Sequence, residues 1–227
     1  MKIDKRKKYY LVLDTETTNG LQSPLIYNLG IAIYDKKGNE YLSKDFVITN
    51  IFDKELELMQ TAYYKEKIVK YYEGLLQGNM ERIGILQAKK YIREVMEQYN
   101  INTIYAYNSN FDVNALNNTI RYVTKSKVRY FLPYNTKVHC IWNMSCQVLC
   151  TQKRFLKENV KNNNNNYITN AQRLFSYITN NKDFKEDHMA LSDVRIEAKI
   201  LFHCLKQHKK MNRNINTNCW KIPNVLG

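Results

Sequence analysis

The chain has 227 residues, of which 44% are hydrophobic and 12% aromatic, and it carries a formal net charge of +14. That length and apolar content exclude a disordered chain and suit a single domain over residues 1–227 with one well-buried core. The charge excess favours a polyanionic partner, most simply nucleic acid, although a Lys-rich solubilising surface or an AT-rich coding sequence would give a similar excess.

In chain order, residues 1–8 form a basic lead-in expected to fray. Residues 9–13 are a short apolar run with the length and side chains of a buried strand. Asp14 and Glu16 follow it. Side chains two apart on an extended chain share a face, so both carboxylates crowd one small volume. Like charges that close are unfavourable unless a proton or a cation separates them. The neighbouring threonines bring no positive charge, and a hard divalent metal prefers oxygen ligands. The strand end is therefore expected to hold Mg²⁺ or Mn²⁺. Taken alone, these residues fit the polar start of a surface turn equally well, so the later clusters decide.

Asn19-Gly20 and Ser23-Pro24 mark a loop. Strands are expected over 26–34 and 41–49, joined by a hairpin turn at 35–39, which makes an antiparallel meander with the first strand. Residues 53–77 are expected to be helical. Ile85, Ala88, Ile92, Val95 and Tyr99 recur at spacings of three and four, an amphipathic helix. A short buried strand is expected over 103–107. Asn108 to Asp112 then leads into a helix carrying Val113, Leu116 and Ile120. Asp112 thus stands at a strand-to-helix junction, where sites of α/β sheets gather, although an aspartate there also serves as an N-cap. Arg121, Lys125, Lys127 and Arg129 beyond it are candidates for tracking a phosphate backbone, or simply a solvated loop.

A last strand over 138–141 and a helix over 142–149 follow. His139, Cys140, Cys146 and Cys150 lack a Cys-x-x-Cys pair and are expected to be core residues rather than a zinc site. An odd set of five cysteines without framework spacing implies reduced thiols and a cytoplasmic chain. No secretory signal and no membrane-spanning stretch is expected. The asparagine run at 161–166 is an exposed loop. Gln172 to Phe175 faintly resembles a sliding-clamp-binding peptide but is better explained as a core helix. His188 precedes Asp193, which leads a final helix with Val194, Ala198, Leu201 and Leu205 on one face. The tail, about 208–227, is basic and expected to be weakly structured. A meander followed by alternating strand and helix points to an α/β ribonuclease H-like mixed sheet, antiparallel then parallel, flanked by helices.

Asp14-Thr-Glu16, Asn108-x-x-Phe-Asp112 and His188-x-x-x-x-Asp193 together resemble the three motifs of the DEDD exonucleases. The histidine spacing is that of the DEDDh, or DnaQ-like, branch, which includes the proofreading epsilon subunit of bacterial replicative polymerase, ribonuclease T and oligoribonuclease. The stretch 188–201 is also similar to stand-alone phage exonucleases. The resemblance covers residues 9 to about 205. Two departures concern only the nucleotide pocket: Asn19 stands before Gly20-Leu21, and Tyr107 stands where the family often has histidine.

The resemblance implies a 3′-5′ exonuclease that releases nucleoside 5′-monophosphates. Two Mg²⁺ or Mn²⁺ ions would be held by Asp14, Glu16, Asp112 and Asp193, with His188 as the proton acceptor. Thr15, Thr17, Asn108 and Phe111 are candidate substrate contacts, with Phe111 also, and preferably, a core residue. The implied partner is single-stranded nucleic acid, DNA before RNA, with a DNA polymerase as a further possible partner. The competing readings are an RNA-trimming exoribonuclease, a non-catalytic polymerase accessory module, and a basic coat protein.

Overall fold

The computed structural model describes residues 3–4, 6–158 and 161–226. Part of the expected N-terminal lead-in (1, 2 and 5) therefore lies outside the described residues. Six strands form one sheet: β1 (Tyr9–Thr18), β2 (Leu25–Asp35), β3 (Glu40–Ile48), β4 (Glu81–Ile83), β5 (Thr103–Ala106) and β6 (Lys137–Cys140). Their spatial order is β4-β3-β2-β1-β5-β6. The β1–β2 and β2–β3 pairs are antiparallel, whereas β3–β4, β1–β5 and β5–β6 are parallel.

The helices are α1 (Thr49–Phe52), α2 (Leu56–Met59), α3 (Ile68–Leu76), α4 (Ile85–Gln98), α5 (Ser109–Thr124), α6 (Ile141–Val148), α7 (Lys153–Glu158), α8 (Ala171–Thr179), α9 (Ala190–Lys206) and α10 (Lys221–Leu226). Among the described residues, no helix is long and apolar enough to cross a membrane.

Alternation along β1 explains the layers. Tyr10 and Val12 pack with α6, α8 and α9 on one face, and Leu11 and Leu13 pack with α4 and α5 on the other. With helices on both faces, both side-chain sets are apolar, so the strand reads as a continuous hydrophobic run. Each fully buried Leu, Ile or Phe contributes roughly 1.5–3 kcal/mol. A third apolar cluster joins Tyr27 and Val47 to Ile51, Phe52, Met59 and Tyr71 from α1 to α3.

Three expectations change, and one strand is new. The first strand does not end before the carboxylates: β1 runs on to Thr18, with a bulge between Glu16 and Thr17. Residues 53–77 are not one helix but α2, a 3-10 turn at Lys65–Lys67 and α3. Within this segment Tyr71 is fully buried against Tyr27 while Tyr63 is exposed, because tertiary contacts override local helix propensity. The short edge strand β4 is too brief to show a period in sequence. The tail is docked: Arg213 O accepts the Cys140 N–H at 2.8 Å, Asn143 Nδ2 donates to Asn214 O at 2.8 Å, and Cys219 is fully buried.

Other expectations hold. All five cysteines are free and buried. Leu174 and Phe175 are core residues of α8. The asparagine run is an exposed turn closed by a Lys161–Tyr167 bridge.

Candidate active site

The site forms where β1 outlasts its parallel neighbour. β5 pairs with β1 at Ile104–Leu11 and Tyr105–Val12 and stops at Ala106. Beyond that point Asp14 and Glu16 keep β2 on one side, opposite Gly30 and Asn28, while the other side belongs to the start of α5. Asn108, at φ +55°, turns the chain from β5 into α5; asparagine tolerates this left-handed conformation better than most residues.

Asp112 is the fourth residue of α5, not its cap, and is 2% exposed. Its Oδ1 accepts the Thr15 hydroxyl at 2.9 Å. Asp193 is likewise the fourth residue of α9, and its N–H donates to Met189 O at 3.0 Å. One carboxylate oxygen from each of Asp14, Glu16 and Asp193 lies within 4.8 Å of the other two. Asp112 lines the same cavity, of about 390 Å³, together with Asn108, Phe111 and His188.

Two residues missed by sequence reasoning set α9 on the sheet. A Cβ on Gly30 would lie 2.4 Å from the Ala190 carbonyl carbon, so only glycine lets the helix start approach β2 so closely. Asn28 is fully buried. Its Oδ1 accepts the Ala190 N–H at 3.0 Å and the Tyr71 hydroxyl at 3.2 Å, and its Nδ2 donates to Phe46 O at 3.1 Å and to Asp45 Oδ1.

His188 is held from the 53–77 segment. Its ring stacks on Tyr64 at 4.1 Å between centroids and 12° between planes. Lys67 Nζ donates to Asp187 O, and Lys70 pairs with the Asp187 carboxylate at 2.8 Å. His188 Nδ1 stands 3.8 Å from Glu186 Oε2 and 3.9 Å from Asp193 Oδ2. These separations are too long for direct hydrogen bonds.

The electrostatics follow from crowding. Burial, with Asp193 next in weight, pushes Glu16 up to about 9. Burial and Glu186 push Asp193 up to about 8. Burial alone outweighs the Thr15 hydrogen bond and raises Asp112 to about 7. Asp14 rises well above the ordinary carboxylate range through burial and the surrounding acids, Glu197 first. His188 is lowered by burial and by Lys67, which favours its neutral form.

Two acids in this set were not foreseen. Glu197, one turn beyond Asp193, is buried and accepts the Tyr107 N–H at 3.0 Å. Glu186 is raised by burial to about 7. The signal for Glu197 was a glutamate on the apolar face of a core helix, four residues after a motif aspartate.

The donor set suits a hard divalent cation. All of its oxygens are carboxylate, they repel one another without a counter-charge, and Asp193 Oδ1 is buried with no hydrogen-bond partner. Among the described residues, this is the one group of three or more acidic, His or Cys side chains close enough to ligate a metal jointly.

The other candidates sort by position. Thr15 supports Asp112, and Asn108 and Phe111 line the cavity. Phe111 is half-buried and belongs to none of the apolar clusters, which corrects the preference for a core role. Thr17 lies past the bulge and does not line the cavity. Arg121 and Lys125 sit at the far end of α5, roughly 13–20 Å along the helix from Asp112 at 1.5 Å per residue. There they cover Tyr130 and Tyr122.

No protein-family model matches this sequence, and no curated protein matches it. Solved structures do. One is a 3′-exonuclease recognising the 3′ end of a histone mRNA stem-loop, at TM-score 0.57 and 11% identity over 92% of this chain and 86% of that one. Another is E. coli Exonuclease I in complex with a 5cy-dT13 oligonucleotide, at TM-score 0.54 and 10% identity over 89% of this chain and 41% of that one. At such identities the likeness is one of fold. The fold is ribonuclease H-like. In this ribonuclease H-like sheet the antiparallel strands β1–β3 and the parallel strand β5 bring the three acidic motifs to one end.

Proposed function

We propose that the chain is a metal-dependent 3′-5′ exonuclease that shortens single-stranded DNA to nucleoside 5′-monophosphates. The observation that carries this reading is the convergence of Asp14, Glu16 and Asp193 oxygens within 4.8 Å, with Asp112 in the same cavity and His188 at its rim. The fold likeness to 3′-exonucleases supports it. Asp14, Glu16 and Asp193 would hold divalent cations, with Asp112 completing the set. Such ions, when bound, neutralise the phosphate and stabilise charge on the attacking and leaving oxygens.

The chain's own residues handle geometry and protons. Hydrolysis forms a bond from water oxygen to phosphorus and breaks the bond from phosphorus to the 3′ oxygen. One water proton must leave, and the neutral imidazole of His188 is placed to accept it. The departing 3′ oxygen ends as a hydroxyl by taking a proton from solvent. Thr15 fixes the Asp112 carboxylate, and Tyr64 fixes the plane of the imidazole. Asn108 and Phe111 border the space left for the terminal nucleotide, with the phenyl ring offering a stacking surface.

The test is incubation of a 5′-labelled single strand with and without Mg²⁺ or Mn²⁺. A metal-dependent ladder shrinking from the 3′ end, with 5′-mononucleotide product, is expected. Internal cuts or metal-independent loss would overturn the proposal. A matched RNA strand is the second arm, since the solved structures of this fold carry both RNA and DNA; faster RNA shortening would replace DNA as the substrate and keep the chemistry.

A further inference from the structure

A second cavity, of about 460 Å³, adjoins the acidic one, and the two share Asn108, Phe111 and Trp142. One wall is a face of α5 that presents Asn110, Asn114 and Asn118, spaced by four and so stacked along the helix. The side-chain amides of these three residues bond to no other group among the described residues. Asn117, next to them in sequence, shows the contrast: its Oδ1 accepts the Phe131 N–H at 2.9 Å.

Trp142 is pinned, because its indole N–H donates to Thr169 Oγ1 at 2.9 Å and Thr169 is itself buried. Among the described residues, no Lys, Arg, Asp or Glu lines this cavity, in a chain of net charge +14. A phosphate subsite would be expected to hold cations. A row of free amides beside a fixed indole and the Phe111 ring instead matches nucleobases: each amide carries a donor and an acceptor, the pairing that base edges present, and aromatic faces stack bases.

The geometry points to a base-reading subsite. The cavity over Asn110, Asn114 and Asn118 takes the bases adjoining the terminal nucleotide of a single strand, stacks them on Trp142 and Phe111, and makes affinity depend on base identity. This rests on the exonuclease reading for the position of the 3′ end.

The test uses the full-length chain carrying Asp14→Asn, so that bound strands persist. Anisotropy is measured with 5′-fluorescein thymidine and adenosine probes of one nucleotide and of four. In an Asn114→Ala, Asn118→Ala double variant, the affinity ratio of four-nucleotide to one-nucleotide probes should fall roughly tenfold, as expected for the loss of about two hydrogen bonds. The preference between the two bases should shrink with it. Both asparagines are solvent-accessible, so the variant should fold. An unchanged ratio and base preference overturns the subsite. If the parent chain degrades oligonucleotides while the ratio is unchanged, the subsite fails and the nuclease stands. If the ratio falls but the parent chain degrades nothing, the subsite stands and the nuclease fails. If no probe binds, both fail.

Discussion

The starts of α5 and α9 make the same gesture with different support. Each helix follows a left-handed residue closely, Asn108 at φ +55° in one case and His188 at φ +50° in the other. Each presents its fourth residue, Asp112 or Asp193, to the cavity. Asp112 is placed by its neighbours: β5 runs straight into the turn, and Thr15 of the adjacent strand donates a side-chain bond to it. No strand feeds α9. Its start is fixed by Gly30 and Asn28 of β2, and the loop before it by Tyr64, Lys67 and Lys70. One arm of the site is built into the sheet, and the other is strapped onto it.

The largest effect should come from the carboxylates, and it should be double. Asp193→Asn should drop hydrolysis to background. In metal-free buffer near pH 9, where Asp193 is ionised beside the other acids, the same change should raise the melting temperature, because it removes one member of a repelling set. Asp14→Asn should behave alike. Activity retained by a folded Asp14→Asn or Asp193→Asn protein would remove the metal assignment. His188→Ala should follow, slowing turnover by roughly 10²–10⁴-fold without altering metal-dependent stabilisation. Single-turnover rates and melting curves read the two outcomes separately.

Next comes the strap itself. Asn28→Ala leaves the Ala190 N–H and Asp45 without their buried partner, a cost on the order of 3 kcal/mol for orphaned polar groups. Melting with and without Mn²⁺ should show that loss, together with weaker metal stabilisation, since Asp193 drifts with the helix start. An Asn28→Ala chain that kept its full metal response would show α9 to be positioned by packing alone.

Acidity offers a gentler probe. Glu16, Asp193 and Asp112 hold their protons up to about 9, 8 and 7, far above their ordinary values of 4.5 and 3.8. A carboxyl whose folded pKa is raised binds its proton more tightly when folded. Its contribution is complete below its unfolded pKa and is lost as pH climbs through the folded one. Metal-free protein should therefore lose melting temperature as pH rises from about 4–5, near the ordinary values, to about 9. Divalent ions should restore more at the alkaline end, where the carboxylates are bare. A metal shift independent of pH would put the cations elsewhere.

The same contrast explains what the sequence could reveal. The strands β1–β3, β5 and β6 and the first motif were legible because apolar runs and the spacing of Asp14 and Glu16 are local. Asp112 was legible because a strand, a turn and a helix follow one another there. Gly30, Asn28 and Tyr64 were not, since their hold on the start of α9 and on His188 is exerted across more than a hundred positions. Glu197 was half-legible: its charge on an apolar helix face was visible, but not the Tyr107 N–H that it accepts. The tail was misjudged because its backbone bonds to Cys140 and Asn143 leave no periodic trace.

The smallest expected effect belongs to the built-in arm. Thr15→Val keeps the shape of the side chain and removes one hydroxyl, hence one bond of 2.9 Å to Asp112. A buried hydrogen bond to a carboxyl contributes about 1–3 kcal/mol, yet here its loss is cushioned. Asp112 is raised to about 7 despite that bond, so near neutrality the carboxyl can take up a proton instead of standing bare. The melting point of metal-free protein near pH 6 should thus barely move, while the deficit should open near pH 8 and close when Mn²⁺ is added. Should Thr15→Val cost as much as Asn28→Ala at both pH values, the sheet-borne arm would depend on its side-chain tie as heavily as the strapped one, and the distinction between them would fail.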